Sequence, residues 1–231
     1  MKRLICTLLV LTLTVAVLSA CMPSAFLPSD TDSSAAESIA EESSAVSYIE
    51  ESRVYYDDAD FQSLRGMTFW FMSGAGAWRT YLQIQPDGSF VGYYSDDDAG
   101  YRAECQFSGK FTSLKKVAPY EYTMKCESLE TKGTLGEERT EKTGDYDTIV
   151  TIVEPYGLKK ADLFHLYLPG KSLDELPLDF KQWGYGIPWK DPEELDDERY
   201  SSAIAEYGTV LKTYGIYNAS GFYGFFAEER Y

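Results

Sequence analysis

From residue 53 to residue 231, apolar positions alternate with polar ones in short runs broken by glycine, proline and aspartate. Alternation with period two marks strands that bury one face and wet the other. The clearest case sets Tyr120, Tyr122, Met124 and Cys126 on one side against Glu121, Thr123, Lys125 and Glu127 on the other. Upstream, Cys105, Phe107 and Phe111 oppose Glu104, Gln106, Lys110 and Thr112. The same pattern predicts strands over residues 68–72, 78–84, 89–94, 102–114 with a break near Ser108-Gly109, 120–129, 148–153, 163–168, 209–214 and 222–226. Many short strands at such spacing predict an all-β fold, an antiparallel meander, sandwich or barrel.

Two links read as hairpin turns. In Gln85-Pro86-Asp87-Gly88 the proline presets φ and Asp-Gly accepts a positive φ, and Val117-Ala118-Pro119 joins two alternating runs. One short helix is expected where Asp191-Pro192-Glu193-Glu194 supplies a cap, a first-turn proline and acids at the positive dipole end. Residues 173–189 read as an ordered aromatic flap, and the charged, glycine-bearing residues 130–147 as an exposed loop.

Upstream of residue 53 the pattern is of another kind. Met1-Lys2-Arg3 precedes a 14-residue uncharged run from Leu4 to Val17, too short to span ~30 Å of hydrocarbon, which takes about 20 helical residues. Leu18-Ser19-Ala20-Cys21 follows and resembles a bacterial lipobox, in which the cysteine thiol is alkylated with diacylglycerol and the chain is cut before it. Residues 1–20 are therefore expected to be a lipoprotein signal peptide and Cys21 the lipidated residue, holding the protein to the outer face of the membrane. Between Met22 and Ser52 there are nine serines, seven acids and no lysine or arginine. Residues 21–52 thus read as a disordered tether with a coil span of about 30 Å, and 53–231 as an extracytoplasmic β domain.

Charge and residue counts then narrow the chemistry. A net charge of −16 repels phosphate backbones, which argues against nucleic acid as a partner. The lone histidine, His165, rules out His-rich metal sites and leaves a Ser-His or Cys-His pair only one possible base. Its alternation places it with Leu163 and Tyr167, opposite Phe164, Leu166 and Leu168, as a strand histidine with a hydrogen-bond partner. Ser73-Gly74-Ala75-Gly76 lacks the third glycine of a dinucleotide motif and reads as a turn or bulge, so no cofactor is expected. Asp96-Asp97-Asp98 lacks the ligand spacing of an EF-hand and reads as solvated loop charge. Of four cysteines, Cys6 leaves with the leader and Cys21 takes the lipid; Cys105 and Cys126 are either a disulfide or two buried thiols. Counting back from Ala118 sets Cys126 opposite about Phe111, which disfavours the disulfide.

The runs Phe69-Trp70-Phe71-Met72-Ser73-Gly74-Ala75-Gly76-Ala77-Trp78, Asp87-Gly88-Ser89-Phe90-Val91-Gly92, Phe107-Ser108-Gly109-Lys110-Phe111 and Glu154-Pro155-Tyr156-Gly157-Leu158 resemble an uncharacterised family of lipoproteins from Gram-positive anaerobes. The resemblance covers residues 66–183 and implies a location but no catalytic residues. Gly76-Ala77-Trp78 followed by a meander is also similar to lipocalin-like barrels, implying about eight to ten strands. Among 19 Tyr, 12 Phe and 4 Trp, most must build the core. Trp70, Trp78, Tyr93 and Tyr94 near the barrel start, and Trp183, Tyr185 and Trp189 in the flap, are the candidate walls of a site for a sugar or small apolar ligand. Three functions fit: a non-enzymatic domain binding a small molecule or envelope component, a surface glycan hydrolase with paired carboxylates, or a structural domain without a pocket.

Overall fold

A computed structural model describes residues 54–184, 187 and 197–228. The expectations for the leader, Cys21, the tether, the helix start at Asp191, and Tyr185 and Trp189 lie outside the described residues. Ten strands are present among the described residues: β1 (Phe69–Met72), β2 (Trp78–Ile84), β3 (Ser89–Asp98), β4 (Tyr101–Ala118), β5 (Glu121–Thr131), β6 (Glu138–Thr143), β7 (Tyr146–Ile152), β8 (Leu163–Tyr167), β9 (Gly215–Asn218) and β10 (Tyr223–Ala227). Eight of them pair antiparallel in the order β1-β2-β3-β4-β5-β8-β9-β10, and β10 returns to β1, closing an up-and-down barrel. The β6–β7 hairpin stands outside this ring and adds to it through a parallel pairing of β7 with the first residues of β4, Tyr101 to Glu104.

Inward positions follow the alternation read from the sequence. Phe69, Phe71, Leu82, Ile84, Phe90, Phe111, Met124, Cys126, Phe164, Leu166, Ile216 and Phe225 are at most 1% exposed. An eight-stranded ring is just wide enough for side chains to fill, and each such residue contributes about 1.5–3 kcal/mol by leaving water. Two glycines make room for rings. A Cβ on Gly92 would lie 2.2 Å from Phe107 Cζ, and one on Gly109 2.4 Å from Phe90 Cζ.

Residues 57–64 close one end of the barrel. A short 3-10 turn, Phe61–Leu64, starts on a capping box between Asp60 and Ser63 and drives Leu64 into the core. Asp57 accepts the Tyr120 backbone N–H and lies 2.9 Å from Lys116 Nζ, while the Ala59 N–H donates to Tyr122 Oη at 3.0 Å. Outside the barrel, helix α1 (Leu178–Gln182) and helix α2 (Asp197–Tyr207) form a second apolar layer over β8, β9 and β10. It includes Tyr167, Leu173, Leu176, Phe180, Leu211 and Tyr217, with Ile204 and Tyr207 of α2 packed at its margin.

Several expectations need correction. Residues 130–147 are not an open loop: β6 and the start of β7 lie there, unseen in the pattern because β6 reads Glu-Arg-Thr-Glu-Lys-Thr, without one apolar residue. It pairs with β7 through backbone, and its side chains dock on β4 by charge: Arg139 lies 2.5 Å from Glu104, and Glu141, 2.9 Å from Arg139 on the same strand, lies 3.2 Å from Arg102. The flap contains a 3-10 turn (Leu173–Glu175) and α1, so that two short α-helices, α1 and α2, lie among the described residues where the pattern predicts one. Residues 209–214 contribute only an isolated bridge, Ser172 to Val210, and the strand falls later, at β9. β4 runs unbroken through Ser108-Gly109, and Asp96-Asp97-Asp98 ends β3 instead of lying in a loop.

Candidate functional site

Trp78, Tyr94 and Trp183, three of the five aromatic candidates among the described residues, meet at the barrel end opposite the N-terminal closure. Phe71 stands at the centre, its ring centroid 4.7 Å from Trp78, 4.9 Å from Trp183, 5.3 Å from Tyr156 and 5.1 Å from Tyr223. Tyr94 joins through Tyr156 at 6.2 Å. The segment carrying Tyr156 is tied down at two successive carbonyls: Thr80 Oγ1 donates to the Tyr156 carbonyl at 2.8 Å, and Asn218 Nδ2 to the Gly157 carbonyl at 2.9 Å. Gly157, at φ +92, is needed there, since a Cβ would come within 2.8 Å of the Phe71 ring and 2.9 Å of Phe225. Trp183 is held by a 2.8 Å hydrogen bond from Nε1 to the Phe222 carbonyl. These rings contact one another edge to face or tilted, the arrangement in which aromatics pack best. They form a plug, and burial pushes the Tyr94 hydroxyl up to about 12.

Trp70 and Tyr93, the other two described candidates, lie elsewhere. Trp70 points outward from β1 and begins a row of register partners, Trp70 to Tyr81 to Tyr93 to Gln106, crossing β1, β2, β3 and β4. The Trp70 and Tyr81 ring centroids are 5.0 Å apart and those of Tyr81 and Tyr93 6.1 Å. A second outward row, Gln83 to Val91 to Ser108 to Glu130, runs beside it. Between them lies an open groove of about 620 Å³, lined by Tyr81, Tyr93 and Gln106 from the first row, by all of the second, and by Lys132.

The groove side chains are held in place. Tyr93 donates its hydroxyl to Glu104 Oε2 at 2.9 Å, and burial together with that carboxylate pushes its pKa up to about 12. Glu104 is itself clamped by Arg139 of β6, so the hairpin that sequence periodicity misses supports a groove tyrosine. Gln83 Nε2 donates to Thr68 Oγ1 at 2.9 Å and Lys132 Nζ to Gln106 Oε1 at 3.2 Å.

Other titratable groups are occupied in structural contacts. His165 Nδ1 is 2.8 Å from Glu121 Oε1, and the other oxygen of Glu121 lies 3.2 Å from Lys171 Nζ, which also meets Glu175 at 2.5 Å. Burial works against the Lys171 ammonium, but its bonds to Glu175 and Glu121 outweigh that and leave its pKa raised. Asp97 is paired with Arg102 at 2.6 Å. Cys105 and Cys126 are free and buried, with burial pushing their thiols up to about 12 and about 11, so neither is a nucleophile at neutral pH.

No protein-family model, curated protein or solved structure matches the chain. The groove residues Tyr81, Gln83, Gln106, Ser108 and Glu130 were not singled out from the sequence. Tyr81, Gln83, Gln106 and Ser108 sit at outward positions of their own alternation, whereas Glu130 falls on the parity of Tyr122, Met124 and Cys126 and is turned outward by the register shift at Lys110/Phe111; only the pairing of four strands shows that they converge.

Proposed function

We propose that this chain is a lipid-anchored extracytoplasmic binding domain. Cys21 carries thioether-linked diacylglycerol, residues 21–52 form the tether, and the barrel offers its outer groove to a small molecule or envelope component. The basic start, the 14-residue apolar run and Ser19-Ala20-Cys21 occur in the order that lipid attachment requires.

The groove carries the binding part of this reading. Its volume of about 620 Å³ lies within the ~300–1,000 Å³ typical of small-ligand sites, and its walls combine aromatic faces with amide, hydroxyl and charged groups. Entry through Trp78, Tyr94 or Trp183 would require the Tyr156 segment to swing away from Thr80 and Asn218, whereas the groove is already open. The hydrolase alternative needs two carboxylates about 5–9 Å apart across the cleft, and Glu130 is the one carboxylate among the described lining residues.

Two measurements test the reading. Bacteria expressing the full chain and fed an alkynyl fatty acid should label it in the membrane fraction, and Cys21→Ala should abolish the label; equal labelling of both would overturn the anchor. In a thermal-shift screen of the full chain, a ligand at 100 times its Kd should add ~2.7 kcal/mol of stability, and Tyr81→Ala should remove the shift. A screen of sugars, lipids, peptides and small aromatics in which nothing moves the melting curve would overturn the binding function.

A further inference from the structure

Resting on that groove as the binding site, we infer that its ligand is a soluble, largely neutral glycan chain lying across the strands on Trp70, Tyr81 and Tyr93. The three rings are consecutive register partners, and their centroid steps of 5.0 and 6.1 Å are close to the repeat of one pyranose unit. A pyranose ring has an apolar C–H face and a rim of hydroxyls. An aromatic ring buries the face, while planar side chains meet the rim in their own plane.

The walls beside the rings are of that kind. Gln83 and Glu130 lie in the neighbouring row and Gln106 at the end of the aromatic one. A wholly apolar ligand would strip water from Gln83, Gln106, Ser108, Glu130 and Lys132 without replacing their hydrogen bonds, which is costly. A phosphate-rich chain would meet a protein of net charge −16 with Glu130 in the groove. The ring planes of Trp70 and Tyr81 are tilted by 50° and those of Tyr81 and Tyr93 by 42°. A flat crystalline polysaccharide cannot lie on all three, but a single twisted chain can. Trp70 extends the row beyond the groove proper, so three sugar units are addressed, one by each ring.

The glycan has two possible sources: the wall of the cell that carries the protein, or a polysaccharide from outside. Isothermal titration of the full chain, solubilised in detergent, distinguishes them. One arm uses muramidase-released wall glycan fragments and the other cello-, xylo- and malto-hexaose. Binding in either arm is expected, with hexasaccharides tighter than disaccharides and no retention on crystalline cellulose or chitin. Tyr81→Ala and Trp70→Ala should each weaken Kd by about tenfold or more, ~1.4 kcal/mol per factor of ten, with a small fall in melting temperature and the cooperative transition kept, because both side chains are half-buried on the outer face, where Trp70 packs on Tyr81 and donates Nε1–H to Glu228 Oε2. Tyr93→Phe keeps the ring and should bind nearly as well as wild type, while Tyr93→Ala should not. Binding that survives loss of Tyr81 and Trp70, or tight retention on a crystalline surface, would overturn the inference. So would a peptide or lipid that shifts melting in a Tyr81-dependent way when no sugar binds, an outcome that leaves the binding function standing; silence from every ligand class would overturn both.

Discussion

Gly92 on β3 stands directly opposite Phe107 on β4, and the phenyl ring occupies the space its side chain would need. A Cβ there would lie 2.2 Å from the ring and 2.4 Å from the Tyr81 carbonyl. Because one of these atoms is backbone, rotation of Phe107 alone does not relieve the clash. Gly92→Ala is expected to cost about 1–3 kcal/mol through overpacking, read as a lower urea midpoint with an unchanged slope. A midpoint equal to wild type would show that the two strands part easily at this position. Gly92 also lines the groove, so the variant should weaken ligand binding alongside stability.

Phe180 fixes the outer layer to the barrel. Its ring lies 4.6 Å from Phe226 and 5.0 Å from Tyr167, seated over Gly215 and Gly224, where a Cβ would meet it at 2.3 and 3.1 Å. Phe180→Ala should cost about 3–5 kcal/mol, measured by chemical denaturation. Hydrogen exchange should rise first at β9 and β10, whose outer faces the ring covers. Uniform loss of protection around the barrel would instead mean that the outer layer and the barrel unfold as one unit.

Cys126 pairs in register with Phe111, not Cys105. Full chain carrying Cys6→Ser and Cys21→Ser, which leaves Cys105 and Cys126 as its two thiols, should therefore have the same mass with and without reductant. With thiol pKa values pushed up by burial to about 12 and about 11, neither cysteine should react with a disulfide reagent at pH 8 until denaturant is added, when both should. Modification of the folded protein at the rate of a free thiol would contradict the burial of these strands.

Asp57 links the N-terminal closure to the barrel. Its carboxyl is held below the usual value of 3.8, first by its hydrogen bond with Lys116 and then by the Tyr120 N–H. A carboxylate whose folded pKa is depressed lends stability that is complete above its unfolded value and is lost as pH falls through the folded one. Acid should accordingly loosen residues 57–64 below about pH 4, seen as quicker proteolysis within that segment. In Asp57→Asn the segment should be loosened already at neutral pH and its acid dependence flattened. Identical pH profiles for the two proteins would remove Asp57 from this role.

Alternation along a strand is local, so the inward set was legible residue by residue: Phe107 and Phe111 on one strand, Met124 and Cys126 on the next, Phe164 and Leu166 on a third. The hairpin count that set Cys126 against Phe111 succeeded for the same reason, because a short turn passes its register on to both strands despite the bulges between them. β6 escaped since its six residues are polar, its backbone pairs with β7 and its ion pairs reach Arg102 and Glu104 on β4. Ring closure between β1 and β10, the seating of Phe180 over two glycines, and the gathering of Trp78, Tyr94 and Trp183 about Phe71 join residues far apart in the chain. Their positions depend on how many strands the ring contains and in what register it closes, which no window of sequence contains. The outward row of Trp70, Tyr81 and Tyr93 belongs with them: each residue looks like an ordinary half-exposed strand aromatic until neighbouring strands bring the three side by side.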